Sequence, residues 1–177
     1  YLGDVFMKRI LFLLPFLLFL FNSNTTLAAS HIWQPITSDK QISWSFDTQS
    51  IQYKYLPDSK TADTSTIIFY AKKLYSPEMK QQLIEYDKKN VHSAAASDAI
   101  RKMDHCIVKY EYNLTANTFK IYEANYCDAA NTSLAVKHYP QPETVKVAPK
   151  SKEEKIFDTI SDYATAHSDE LTARAMN

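Results

Sequence analysis

The stretch that decides the fold runs from Cys106 to Cys127 and reads CIVKYEYNLTANTFKIYEANYC. Apolar and polar residues alternate in each half of it, which is the period of half-buried β-strands. Between the halves, Thr115–Thr118 has the composition of a four-residue hairpin loop, with Asn117 in the left-handed region of backbone space. We therefore predict a β-hairpin in which Cys106 lies opposite Cys127.

These two residues are the cysteines of the chain. A pair at matching depth in one hairpin of an exported protein forms a disulfide, worth roughly 3 kcal/mol on the chain-entropy model. We therefore predict a Cys106–Cys127 disulfide, although a shift of one residue in the loop would separate the two sulfurs. The alternative is a Cys106 nucleophile helped by His105, but neighbours on a strand point to opposite faces. The same objection applies to an acid–base pair of Asp104 and His105.

Strands are also predicted on both sides of the hairpin. Residues 42–46 and 51–55 alternate on either side of a turn at 47–50, which favours two facing strands. Thr66–Ala71 is a third strand with apolar residues on both faces, as in a buried strand. After the hairpin, the pattern predicts strands at 134–138 and, at an edge, 145–147.

Helix starts are recognisable at two places. Ser76-Pro77-Glu78 has the order of N-cap, N1 proline and early acid. Ser151-Lys152-Glu153-Glu154 matches a capping box and precedes an apolar stripe that ends at Tyr163. Residues 92–97 are compatible with a loop or with a short helix. Residues 164–177 are polar and alanine-rich, and we expect a polar tail or a frayed helix there.

Together these elements predict one α+β domain over residues 29–163. Its antiparallel β-sheet has about five to six strands, with a central helix and a C-terminal helix packed against it. Residues 1–28 are expected to be upstream residues followed by a signal peptide, because Lys8 and Arg9 precede an apolar run and small residues suit cleavage before Ala29. The mature protein is then exported, to the periplasm, to the cell surface or into the medium. The apolar run is shorter than the roughly 17–25 residues of a membrane span, so we expect none after cleavage.

The composition excludes several classes of function. Gly3 is the one glycine of the chain, whereas phosphate loops, dinucleotide fingerprints and hydrolase nucleophile elbows all need glycine. The chain has 20 basic and 20 acidic residues, and 18 and 19 remain once Asp4, Lys8 and Arg9 of the expected leader are removed. The remaining protein therefore lacks the excess of basic residues that is typical of nucleic-acid-binding proteins. The five histidines show no metal-ligand spacing. We predict no catalytic residue, no cofactor, no metal and no nucleic-acid partner.

Tyrosine, with 12 copies, is the feature that most suggests binding. Its ring offers apolar contact area and its hydroxyl a hydrogen bond, at low entropic cost. Tyr53, Tyr55, Tyr122 and Tyr126 lie on predicted strands and are the candidates for an exposed stripe that binds a protein partner. Strand propensity favours the alternative, in which they are half-buried sheet residues.

Several short segments follow one another in a set order. They are Ile32–Ile36, Phe46–Ile51 and Ile67–Tyr75, then Tyr139-Pro140 after the hairpin and Pro149-Lys150-Ser151 before the last helix. This order resembles the bacterial surface-adhesin protein E-like family. The resemblance implies an antiparallel sheet with packed helices, export to the envelope or surface, and no known catalytic site; characterised members are adhesins that bind host matrix or serum proteins. The family usually has glycine where Lys150 stands, and often a cysteine near the C-terminus, which this chain lacks.

We therefore predict a non-enzymatic, adhesin-like module that contacts another protein through an exposed sheet face or edge. One alternative is an envelope inhibitor or accessory protein that acts through a protruding loop, expected at Tyr139–Pro149. The other is a small hydrolase with a deep pocket. An exposed patch, a protruding segment or a pocket of titratable groups would distinguish the three.

Overall fold

The computed structural model describes residues 31–90 and 94–177, so the predicted leader and its cleavage site lie outside the described residues. It confirms an α+β fold with one antiparallel sheet of eight strands in the order β1-β2-β4-β5-β6-β7, with β3 beside β4 and β8 beside β6. The strands are β1 (Trp33–Ser38), β2 (Ile42–Asp47), β3 (Gln52–Leu56), β4 (Thr61–Tyr75), β5 (His105–Asn113), β6 (Thr118–Cys127), β7 (Ser133–His138) and β8 (Val145–Lys146). The helices are α1 (Pro77–Asn90), α2 (Ala94–Lys102), α3 (Lys152–Ala166) and α4 (Ser168–Met176).

The central hairpin of β5 and β6 forms as predicted, but its register differs. Asn113 pairs with Thr118, so the loop begins one residue earlier than expected, and a bulge follows farther along the strands. The Asn113 side chain accepts a hydrogen bond from the Ala116 N–H at 2.7 Å, which closes the turn at this point. Asn117 has the predicted left-handed conformation, with φ 53°.

The register overturns the predicted disulfide. Cys106 pairs with Tyr126, whereas Cys127 pairs with His105, so the two sulfurs lie on opposite faces of the sheet. Both thiols are free and buried. The prediction was wrong because a shift of one residue exchanges the two faces of a strand.

The two strands that were expected to face each other, β2 and β3, do not pair. Both pair antiparallel with β4, so they run in the same direction, one after the other along the same edge. This is possible because β4 has 15 residues. The turn between β2 and β3 is held by Asp47, whose Oδ1 accepts from the Gln49 N–H at 3.1 Å.

The far end of this arrangement is a two-stranded ribbon, defined as residues 54–63. Tyr53 pairs with Ile67, but the next residue, Lys54, pairs with Asp63, so β4 skips residues 64–66. The pairing of β4 with β5 begins only at Thr66. The ribbon therefore extends beyond the segment in which β4 pairs with β5.

The core lies on one face of the sheet, which we call the core face, under helices α3 and α4. It is largely aromatic: the ring centroids of Phe69 and Tyr112 lie 5.0 Å apart, and those of Tyr112 and Phe157 lie 5.7 Å apart. The fully or nearly fully buried members include Phe46, Ile51, Ile67, Phe69, Tyr110, Tyr112, Ile156, Ile160 and Leu171.

The C-terminal segment corrects the expectation of a polar tail over residues 164–177. Helix α3 continues to Ala166, and helix α4 packs against the sheet with Leu171 and Ala175 buried. Arg174 Nη1 donates to the carbonyl oxygens of Thr48 at 2.6 Å and Ile51 at 3.0 Å. Apolar residues four positions apart lie on one side of a helix, and this short stripe is enough for docking even though the segment is mostly polar.

The helix starts agree with the predicted caps. Ser76 Oγ accepts from the Met79 N–H, and Ser151 Oγ accepts from the Glu154 N–H, each at 3.1 Å. Lys150, just before the Ser151 cap, has a left-handed conformation with φ 59°. Of residues 92–97, which were compatible with a loop or a short helix, 94–97 belong to helix α2, and 92 and 93 lie outside the described residues. Over 31–90 and 94–177, no helix combines the length and apolar character needed to cross a bilayer.

Candidate protein-binding surface

The side of the sheet opposite the core face carries a band of polar residues on β4, β5 and β6. We call it the polar face, and it comprises Tyr70, Lys109, Glu111, Lys120, Tyr122 and Glu123. The centre of this band is the Glu111 carboxylate, on a residue that is only 7% exposed. Glu111 Oε2 accepts from Lys54 Nζ at 2.9 Å and from the Tyr122 hydroxyl at 3.1 Å, while Oε1 lies 3.4 Å from Lys120 Nζ. Glu111 thus connects the ribbon, through Lys54, to the central hairpin.

The charges of this network support one another. Burial raises the pKa of the Glu111 carboxyl, but the hydrogen bond from Lys54 and the nearby positive charges outweigh it, and the pKa lies below its ordinary value. The hydrogen bond to Glu111 raises the pKa of Lys54. Burial and the Glu111 charge raise the pKa of Tyr122. Glu111 and Lys54 are therefore both ionised at neutral pH.

Other charges on or beside the polar face are also compensated. Lys109 Nζ lies 5.9 Å from the Tyr70 ring centroid, and His138 Nδ1 lies 3.1 Å from Glu123 Oε2. These weak and mostly solvated contacts leave no strong single-sign patch among the polar-face residues. The polar face is thus a charge-balanced surface.

We expect Glu111→Gln to lower the free energy of unfolding by about 1 kcal/mol at pH 7, because Lys54 and Lys120 lose a charged acceptor. Since the folded state lowers the pKa of Glu111, its contribution is present above the ordinary carboxyl pKa and is lost as pH falls through the folded value. Urea unfolding at pH 7 and pH 3 measures both effects, and the two proteins should differ less at pH 3.

The matched control is Glu123→Gln, because Glu123 pairs with the exposed His138 and is itself about one-third exposed. Its change in unfolding free energy should stay within about 0.5 kcal/mol. Equal losses in the two variants, or a Glu111→Gln loss that does not depend on pH, would contradict the role given to the network.

The four tyrosines that were candidates for one exposed stripe lie in different environments. Tyr53 is buried on the core face, and its hydroxyl donates to the Ala164 carbonyl oxygen at 3.3 Å. Tyr126 lies opposite Cys106 on the same face and is half-buried. Tyr122 lies on the polar face, and Tyr55 is 41% exposed in the ribbon.

The candidate stripe is wrong for two physical reasons. Tyr122 is the extra residue of the β5–β6 bulge, since Ile121 and Glu123 have β5 partners and it has none, and a bulge ends the simple alternation of faces. Tyr53 and Tyr55 do alternate normally, but helix α4 packs on β3 and its Ser168 Oγ lies 3.3 Å from the Tyr53 hydroxyl. Of the four, Tyr55 alone is exposed.

The ribbon is the segment that offers apolar contact area to a partner. Tyr55 and its neighbour Leu56 are 41% and 38% exposed. Strand β3 pairs with β4 alone, so in the described part of the chain its other edge has no neighbouring strand. The inhibitor alternative predicted a protruding loop at Tyr139–Pro149, but the end of this segment is attached to the sheet. Strand β8 pairs with β6, and the buried Val147 donates its N–H to the Asn117 carbonyl oxygen at 3.0 Å.

The thiols and the histidine that could have been reactive groups are buried. Burial raises the pKa of Cys106 to about 12 and also raises the pKa of Cys127. His105 Nδ1 does lie 3.0 Å from Asp104 Oδ2, contrary to the expectation that the neighbours diverge, but burial still lowers the pKa of His105. Over residues 31–90 and 94–177, no three His, Cys, Asp or Glu side chains are placed to hold a metal ion.

Comparisons with known proteins find a distant likeness among solved structures. No family model matches the chain, and no curated protein matches it. Among solved structures, the crystal structure of protein E from non-typeable Haemophilus influenzae is similar, with 13% identity and a TM-score of 0.45 over 87% of this chain and 93% of that chain. At this identity and score, the likeness assigns no role to any residue.

Proposed function

We propose that this protein is an exported, non-enzymatic binding module that takes up an extended segment of a partner protein along the free edge of β3. The observation that carries the proposal is the exposure of Tyr55 and Leu56 on a strand that has one neighbouring strand among the described residues. An added strand satisfies the free backbone N–H and C=O groups of such an edge. Tyr55 and Leu56 then supply apolar contact area, for which tyrosine is a frequent source at interfaces.

The other edges of the sheet are less suited to this role. Strand β1 contains Pro35 and an irregularity between Pro35 and Thr37, both of which hinder strand addition. Strand β7 ends in the exposed residues Lys137 and His138, and lysine on an edge also discourages pairing. Strand β3 has one lysine, Lys54, and its ammonium is bound to Glu111.

Sequence arguments support the remaining parts of the proposal. The basic residues, apolar run and small residues before Ala29 support export, to the periplasm, the cell surface or the medium. The absence of glycine after Gly3 and the buried, neutral thiols support a role without catalysis. An adhesin-like role at the cell surface is the finer form of the proposal, and it rests on the resemblance of short sequence segments.

The test compares three forms of residues 29–177 immobilised on a sensor: the wild type, the double variant Tyr55→Lys with Leu56→Lys, and the control Tyr86→Lys. Tyr86 is also an exposed tyrosine, at 65%, but it lies on helix α1. Each form is presented with serum, matrix and envelope proteins. We expect saturable binding of a specific protein, weakened at least about tenfold in the ribbon variant and unchanged in the control.

Amide hydrogen exchange then tests the mode of binding. A partner segment added to the sheet should protect the backbone amides of β3 from exchange, because they gain hydrogen bonds. Binding that is equal in all three forms, or protection confined to Tyr139–Pro149, would overturn the proposal. A partner enzyme that loses activity on binding would indicate the inhibitor function instead, and turnover of a substrate by the protein itself would exclude a module without catalysis.

A further inference from the structure

A lysine lies on the aromatic core face. Lys73 of β4 pairs in register with Trp44 of β2 and with Cys106 of β5, both of which belong to the core. Its Nζ lies 4.1 Å from the Trp44 ring centroid and 5.5 Å from the Tyr110 ring centroid. The residue as a whole is half-buried, and its ammonium lies against both aromatic rings.

This ammonium has no bound counter-ion in the described part of the chain. No carboxylate there lies within ion-pair distance of Lys73 Nζ, although the charge of Glu153 reaches it from helix α3. Burial lowers the pKa of Lys73 to about 8, so the group still carries most of its charge at pH 7. A desolvated charge without a partner is costly.

A second donor without an acceptor lies beside it. Trp44 is 8% exposed, and its Nε1 atom is buried without a hydrogen-bond partner among the described residues. This nitrogen is part of the ring that Lys73 Nζ contacts, so the two groups are neighbours. An indole N–H and an ammonium are donors only, and a buried donor without an acceptor is rare in folded proteins.

We propose that Lys73 and Trp44 form a binding site for a small aromatic carboxylate. Its two oxygens accept hydrogen bonds from Lys73 Nζ and Trp44 Nε1, and its ring packs beside the aromatic side chains on this part of the core face. A carboxylate fits better than a phosphate, because one ammonium balances one negative charge and Glu153 opposes a second. The site is separate from the ribbon and does not depend on the proposed function.

The first experiment follows the indole N–H resonances of the two tryptophans by NMR while benzoate is added. A Trp33→Phe variant assigns the remaining resonance to Trp44. We expect benzoate to shift the Trp44 resonance saturably, and benzamide, which has the same shape without the charge, to leave it in place. Acetate should bind more weakly than benzoate if the ring of the ligand also makes contact.

Variants test the roles of the individual side chains. Lys73→Gln should weaken benzoate binding at least about tenfold, and Lys73→Arg, which keeps the charge, should restore most of it. Glu153→Gln should strengthen binding, because it removes a competing negative charge. Binding should weaken as pH rises through about 8, where Lys73 loses its proton; Cys106 and Glu153 are the other titratable groups whose charges act on it.

Three results would each overturn the proposal. They are the absence of a saturable shift at Trp44 up to the solubility of benzoate, an equal response to benzamide, and a Lys73→Gln variant that binds benzoate as tightly as the wild type. Circular dichroism confirms that each variant is folded, and the Lys73→Arg form keeps the test decisive if Lys73→Gln fails to fold.

Discussion

Replacing Tyr112 by alanine is expected to lower the free energy of unfolding by about 3–5 kcal/mol, because a large ring is removed from the middle of the core. Tyr112 is almost fully buried, and its ring meets aromatic rings from β4, β6 and α3. The centroid distances are 5.0 Å to Phe69, 5.7 Å to Phe119 and 5.7 Å to Phe157. Truncation would leave a cavity where the sheet and helix α3 meet. Urea unfolding followed by circular dichroism measures the loss.

The matched control is Tyr112→Phe, which keeps the ring and removes the hydroxyl. Burial raises the pKa of this hydroxyl, so it stays neutral and contributes little charge. The control should change the unfolding free energy by less than about 1 kcal/mol. A loss of less than about 1 kcal/mol for the alanine variant would show that these rings do not form the centre of the core.

Leu171→Ala is expected to destabilise the protein by about 2–4 kcal/mol. Leu171 is fully buried, and it belongs to helix α4, in the segment whose composition suggests a tail. Loss of its side chain should loosen α4 and also the contact of Arg174 with the carbonyl groups of Thr48 and Ile51. Urea unfolding gives the free energy, and hydrogen exchange should show faster exchange in α4.

Met176→Ala is the control for this helix, because Met176 is 48% exposed and the same class of side chain is removed. Its effect should stay within about 0.5 kcal/mol. If both variants lost equal stability, or neither lost any, α4 would not be docked in the way the structure shows.

Local chemistry made much of the fold predictable. Ser76 and Ser151 cap their helices as expected, because a cap depends on three or four consecutive residues. Asn117 takes the left-handed conformation of a glycine-free turn for the same reason. By contrast, the sequence offers no direct sign that Glu111 would be bound by Lys54, since 57 positions separate them.

The candidate protein-binding surface depends on places where the strands depart from the regular alternation of side chains between the two faces of the sheet. The bulge at Tyr122 and the residues that β4 skips at 64–66 decide which tyrosines are exposed and where the ribbon begins. Lys73 follows Phe69 and Ala71 at every second position of β4, so the sequence pattern can place it on the core face. The sequence cannot show that no carboxylate in residues 31–90 and 94–177 forms an ion pair with Lys73, because this depends on every element packed around the lysine.

The amino-acid sequence alone determined the α+β class, the central hairpin and the start of each capped helix. These follow from periodicity, capping and turn chemistry, which act over a few neighbouring residues. The tertiary structure alone decided the pairing of β2 and β3 with β4, the separation of Cys106 from Cys127, the docking of α4 and the exposure of Tyr55. Each of these depends on register or on packing between distant segments, and a shift of one residue reverses which face a strand residue occupies.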